Sequence, residues 1–406
     1  MVNSGQTRVS VPTPILSNLP GRFSPSLYIT PRMMKRAVFV YSDELASYDL
    51  GPEHPLKPVR LRMTYDLLQA YDFFRRAECP VIPPRPATRE EILLAHKPEY
   101  VGVVEEIGRN GRADDMWKYG FGQDDNPPFK GIYEASLLYA GASVVAAEKV
   151  LSGEAELAFA ISGGLHHAMP ARASGFCVFN DPVIAIRRLL EKFERVAYID
   201  VDAHHGDGVQ AAFYVQDSVL TISLHESGRW LFPGTGFPDE WGEGAGRGYS
   251  INLPFAPGTG DETYTEAFEA VVPAAISAFQ PEVVVAQLGA DSHFEDPLAH
   301  LMLGTRGWRR IVERIGSFGT PMVALGGGGY HLPSTCRMWA IASAVLCGVE
   351  LSPDIPAEFA QKSHIRKLDD ERPPNIMRSE AEFADSYARE AVDVLLKDVV
   401  PLIRKC

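Results

Sequence analysis

The chain has no apolar run long enough to cross a bilayer, no CxxC pair and no excess of basic charge. Each absence removes a class of function. A spanning helix needs about 20 consecutive, mostly apolar residues, so no membrane insertion is expected. The N-terminus lacks a basic patch followed by an apolar core, so no secretory signal is read there. Five cysteines without paired spacing do not make a disulfide scaffold. Cys177 and Cys336 lie in Gly-rich or apolar surroundings, as free buried thiols do. A reduced, cytoplasmic compartment follows as the expectation. The formal net charge of −13 speaks against a general nucleic-acid binder, which needs a basic face for phosphates. A glycine run at 326–329 is not followed by Lys-Ser/Thr, so it is no P-loop.

What remains is an ordinary globular composition. The 406 residues are 46% hydrophobic and 22% charged, enough for one large core. Residues 1–35 are rich in Pro, Ser, Gly and Asn without periodicity, and read as a flexible N-terminal arm. From residue 36 onward, short apolar runs alternate with helical patterns. The runs are Ala37–Tyr41, Leu157–Ile161, Val196–Val201, Val219–Leu224, Val283–Leu288 and Met322–Leu325, with Ser250–Leu253 as an extra strand. Helical spacing marks Val59–Phe74, Tyr133–Leu151, Val183–Phe193, Glu262–Phe279, Gly307–Ser317, Pro333–Cys347 and Ala381–Leu396. Strands apolar throughout, alternating with helices, predict a mostly parallel sheet covered on both faces. Neither an internal repeat nor a linker divides this pattern, so residues 36–406 are read as one α/β domain.

Ligand sites in such sheets lie beyond the carboxyl ends of the strands. The loops there are 162–181, 203–208, 225–236, 289–298 and 326–330, and all are rich in Gly, His or Asp. The most informative stretch is Tyr198–Asp207, YIDVDAHHGD. Asp200, Asp202 and His204 recur every second residue, so an extended chain points all three to one side. Buried together they need pairing or a cation, and Asp/His suits zinc or ferrous iron. A salt-bridged strand end accounts for the same pattern. His166 and His167 fit a general acid/base pair if a Gly-rich loop gathers them. One core and one exposed histidine fits as well. Asp291, just past an apolar strand, reads as a third ligand or as a turn cap. Tyr330 follows the four glycines, where its hydroxyl could meet developing negative charge or its ring could simply pack. Phe176 and Phe232, each in a Gly-rich loop, could wall a narrow apolar slot.

In order along the chain, HH, GF, DVDAHHGDG, FPGTG, GADSH…DPL and GGGGY resemble the zinc-dependent histone deacetylase superfamily. The likeness runs from about Ala37 to Cys347. Within the family the GQDDNP and GADSHFEDPL segments are most similar to the prokaryotic acetoin-utilisation deacetylases. The resemblance implies an arginase/deacetylase-like three-layer α/β fold. It implies Zn2+, with Fe2+ as a substitute, on Asp202, His204 and Asp291. His166, His167 and Tyr330 would be catalytic, Asp200 orienting His166 and Asp207 orienting His167. Gly175, Phe176, Phe232, Leu298 and Gly328 would surround the lysine chain. The rim acid would be Asp125, with Asp124 the alternative register. K+ is also implied, at an inner site of Asp200, Asp202, His204, Ser223 and Leu224. Phe213, Val219 and Tyr249 would form an outer one, where Gln216 replaces a usual small hydroxyl residue. The expected reaction is hydrolysis of acetyl or short acyl groups from lysines of proteins or peptides, with acetyl-CoA synthetase as a target. Two rival readings are a small-molecule amidohydrolase, such as an acetylpolyamine deacetylase, and a non-catalytic acyl-lysine binding module.

Overall fold

A computed structural model of the chain describes residues 36–122 and 125–403. The N-terminal arm expected over 1–35 lies outside the described residues. The core of the fold is one eight-stranded sheet, and every pairing in it is parallel. The strands are β1 (Ala37–Val40), β2 (Val81–Ile82), β3 (Leu157–Ala160), β4 (Val196–Asp200), β5 (Val219–Glu226), β6 (Ser250–Phe255), β7 (Val283–Gln287) and β8 (Met322–Leu325). Their order across the sheet is β2-β1-β3-β8-β7-β4-β5-β6. The seven strands from β1 to β6 in that order are buried along their whole length, which is why they read as unbroken apolar runs.

β2 escapes the sequence reading because it is two residues flanked by Pro80 and Pro83. β5 runs two residues beyond its expected end. His225 and Glu226 are polar, yet they pair with Pro254 and Phe255 of β6 and are buried. The helix Pro98–Asn110 also went unread. Its buried residues Tyr100, Val101, Val104 and Ile107 keep helical spacing, but Gly102 and Gly108 interrupt the pattern. The expected helix over 59–74 divides at Asp72, which adopts a left-handed φ of 56°.

The chain fills one side of the sheet through β3, then crosses to β4, leaving β8 and β7 to close the gap. The loops after β3, β8, β7 and β4 therefore emerge side by side at the carboxyl edge, at the switch in strand order. Those four loops, with the one after β5, are the five the sequence singled out.

Candidate functional site

Asp200 ends β4, and the backbone beyond it turns so that Asp202 and His204 face the loop after β7. Asp202, His204 and Asp291 are all buried. One ligand atom from each lies within 4.8 Å of the others, so the three could hold a metal ion. His204 Nδ1 lies 2.9 Å from Asp291 Oδ2 and 3.3 Å from Asp202 Oδ1. The donor set is one nitrogen and two carboxylates, which suits a divalent transition metal. The electrostatics fit a cation as well. Burial, and then the neighbouring Asp202, push the Asp291 carboxyl up to about 7. Burial opposes a charged His204, but Asp202 and Asp291 outweigh it and raise its pKa. A cation among them would relieve both strains.

The surroundings hold these carboxylates in place. Asp202 Oδ2 accepts the Gly328 amide and the Gln287 side-chain amide, each at 2.7 Å. Asp291 Oδ1 accepts the Ala203 amide at 2.8 Å. A Cβ on Gly328 would fall 2.1 Å from Asp291 Oδ2, so only glycine lets this backbone reach the carboxylates.

The histidine pair sits beside this cluster. His166 Nδ1 is 2.7 Å from Asp200 Oδ2, and His167 Nδ1 is 2.7 Å from Asp207 Oδ1. The two Nε2 atoms face each other at 3.1 Å. With each Nδ1–H donated to a carboxylate, that short approach requires one Nε2–H and one lone pair. One ring is therefore an imidazolium and the other neutral. Burial opposes charge on His166, but Asp200 and then Asp202 prevail and raise it to about 9. Burial lowers His167 to about 4, and the charge on His166 adds to that. With no cation on Asp202, these surroundings favour the proton on His166.

Aromatic rings line the approach. Phe232 meets His167 edge-on at 5.0 Å, and Phe176 meets Tyr330 at 5.7 Å. Tyr330 also stands edge-on to His204 at 6.4 Å. Burial first, then Asp291 and Asp202, keep its phenol protonated. Phe176 has a left-handed φ of 66°, strain of the kind found at functional sites. Its carbonyl is held by the Tyr48 hydroxyl at 2.8 Å. Gly175 has φ 52°, and a Cβ there would strike His167 Cδ2 at 2.3 Å.

At the exposed rim, Asp125 Oδ2 accepts the Gly175 amide at 2.9 Å. Asp124 lies outside the described residues. Leu298 is half-buried, and its amide donates to Asp296, which also accepts the Tyr330 amide at 2.7 Å. The residues expected at the two potassium positions divide into two places. Ser223 pairs with Asp200 in register, and Leu224 follows it. Val219 begins the same strand, about 13 Å from Ser223 at some 3.3 Å per residue. Phe213 and Tyr249 lie toward that end. There Gln216 Oε1 accepts from Arg187, whose guanidinium lies 4.6 Å over the Phe213 ring.

Several contributors went unread in the sequence. Gln287 is a fully buried polar residue closing the apolar run VVVAQ, which was a usable signal. Tyr198 precedes Asp200 by two and donates its hydroxyl to it at 2.7 Å, as the same alternation dictates. Asp181 accepts the Gly164 and Leu165 amides at 2.8 and 2.9 Å, bracing the segment before His166. His54, whose ring packs on Phe176 at 4.4 Å, gave no signal of its own.

The chain is similar to known proteins along most of its length. The histone deacetylase domain family matches residues 54–346. Acetoin utilization protein AcuC of Bacillus subtilis (strain 168) is 39% identical over 337 residues, covering 81% of this chain and 87% of that protein. Histone deacetylase clr6 of Schizosaccharomyces pombe is 38% identical over 328 residues, 79% of each chain. A crystal structure of a histone deacetylase homologue complexed with SAHA superposes with a TM-score of 0.80 at 32% identity, over 88% of this chain and all of that one. The all-parallel sheet and its carboxyl-edge site are thus the arginase/deacetylase-like fold, and the chain belongs to the histone deacetylase family.

Proposed function

We propose that this protein is a metal-dependent deacylase that hydrolyses acetyl or other short acyl amides of lysine side chains. The observation that carries the reading is the convergence of three buried metal-competent residues with two buried histidines, each held at Nδ1 by a carboxylate. Asp202, His204 and Asp291 would hold a single Zn2+ or Fe2+. Such an ion polarises the acyl carbonyl and lowers the pKa of an attacking water.

The chain's own residues do the rest. His167, neutral and held by Asp207, accepts the proton as water attacks the carbonyl carbon. Tyr330 donates its O–H to the oxyanion that develops. A protonated histidine then delivers a proton to the departing amine. Asp200 and Asp207 fix the two rings by their Nδ1 atoms and set their Nε2 atoms side by side at 3.1 Å. Phe176 and Phe232 wall the lysine chain, whose four methylenes each gain about 0.8 kcal/mol on burial. Asp125 supports the peptide backbone at the rim. Of the two potassium positions, the inner group fits a monovalent cation by its carboxylates. The outer group neighbours Arg187, which donates to Gln216 Oε1 and to the Ala212 carbonyl.

The test is acyl release from a panel of acyl-lysine peptides on Zn2+-loaded protein, with and without a hydroxamate chelator. Chelator-sensitive release is expected, ranked by acyl length. Faster turnover of acetylated polyamines than of any peptide would replace this reading with the small-molecule one. Binding of acyl-lysine without release would replace it with the binding module.

A further inference from the structure

Phe232 stands on a short segment that starts at Ser227, at the end of β5. Ser227 is fully buried, and its amide donates to Phe255 at 2.8 Å. Its carbonyl accepts the amides of Trp230 and Leu231 at 2.9 and 3.1 Å, making a tight turn. The outer side of that turn is covered by the helix Arg378–Val394, which lies beyond the residues matched to the family.

That helix is seated on the body independently of the turn. Its buried alanines, Ala384, Ala388 and Ala391, recur at helical spacing, and it packs on β6 and on the helix Asp261–Phe279. From this seat Tyr387 reaches the turn. Its hydroxyl lies 2.8 Å from Ser227 Oγ. Its ring meets Trp230 at 5.4 Å, and Phe383 meets Trp230 at 6.2 Å. The Arg229 guanidinium lies over Tyr387 at 5.8 Å. Yet Trp230 is 43% exposed and Phe383 53% exposed. This is a surface cluster in which a few edge contacts and one side-chain hydrogen bond join the helix to the turn.

We infer that Tyr387 is a positioning residue for the acyl-lysine slot: with Trp230 it fixes the turn that carries Phe232, and so sets the width of the slot. The inference rests on the acyl-lysine reading of that slot. It separates binding from chemistry. The histidines are held by Asp200 and Asp207, and the metal-competent cluster by Gln287 and Gly328, none of which touches this helix. Loosening the turn loosens the grip on the methylene chain, while His167, whose ring Phe232 meets edge-on, stays anchored by Asp207.

Two hydroxamates make the test on Zn2+-loaded protein. One carries a linear alkyl chain that fills the slot, and acetohydroxamate carries none. Tyr387→Phe deletes only the hydroxyl and keeps the ring, and Trp230→Ala deletes the ring contact. Kd for each compound is measured by calorimetry, with Tm as a check on folding. Wild type is expected to favour the chain compound. Tyr387→Phe should weaken that compound about three- to tenfold, the range for one lost neutral hydrogen bond. Trp230→Ala should weaken it further. Acetohydroxamate affinity, and kcat on an acetyl-lysine peptide, should stay within about twofold while KM rises with Kd. Unchanged chain affinity in both folded variants would overturn the inference. Equal weakening of both compounds would also overturn it, because the effect would then reach the metal centre. If wild type does not prefer the chain compound, the slot reading itself fails.

Discussion

Acidification should unlatch the histidine segment through His96, a residue outside the site. His96 is buried, and its Nε2 accepts the Asn180 amide at 2.9 Å while Nδ1 faces the Met169 carbonyl at 3.1 Å. Only the neutral ring with its proton on Nδ1 satisfies both. A second proton would set N–H against N–H. Burial lowers its pKa from 6.5 to about 4 in the folded chain. As pH falls through 6.5, the unfolded chain takes up a proton that the folded chain refuses. Stability is therefore complete above pH 6.5, is lost between 6.5 and about 4, and changes no further below that. At 1.36 kcal/mol per unit the loss is about 3 kcal/mol. The consequence reaches the site because Asn180 Nδ2 donates to the carbonyls of His166 and Ala168, each at 3.0 Å. Urea unfolding at several pH values from 7 to 4 measures the effect, with His96→Gln as the non-titrating comparison. Carboxylates titrate in both proteins, so the difference between the curves isolates His96. Wild type should lose about 3 kcal/mol more than the variant across that window. Parallel curves would refute the reasoning.

Three substitutions extend the account. Tyr330→Phe removes one oxyanion donor and should lower kcat by roughly a hundredfold or more, about 3 kcal/mol, with metal content unchanged; near-normal kcat would remove Tyr330 from the mechanism. Asp181→Ala strands three buried donors, the Ser143 hydroxyl and the Gly164 and Leu165 amides, and should cost about 3–5 kcal/mol in denaturant unfolding; a loss under about 1 kcal/mol would show that the segment finds other partners. Gly175→Ala forces a left-handed φ on alanine and drives its Cβ into His167, so kcat/KM should fall by roughly a hundredfold; retained activity would mean that the imidazole has room to move.

The sheet was legible because its central strands are apolar on both faces, and no alternation obscures them. The loops were legible because their ionisable residues follow those strands directly. Adjacency in sequence did not reveal convergence in space. His166 and Asp200 are 34 residues apart and meet only because β3 and β4 lie on either side of β8 and β7. The supporting hydrogen bonds were harder to read. Asp296 joins the Leu298 and Tyr330 segments through backbone amides, and an amide acceptor leaves no mark on the residues it holds. The residues expected at an outer potassium position show the reverse case. Gln216 was a visible departure, but its pairing with Arg187 comes only from the packing of the helix Asp181–Leu189 beside Asp207–Phe213.

The central claim is that Asp202, His204 and Asp291 hold one ion that the hydrolysis requires. The most direct measurement titrates Zn2+ into metal-stripped protein while bound metal and acetate release from an acetyl-lysine peptide are followed in the same sample. The account predicts release that rises in proportion to bound metal and levels off at one ion per chain, with neither tight binding nor release in Asp291→Ala. Full turnover by the stripped protein, or a filled site with no release of any acyl group, would contradict it.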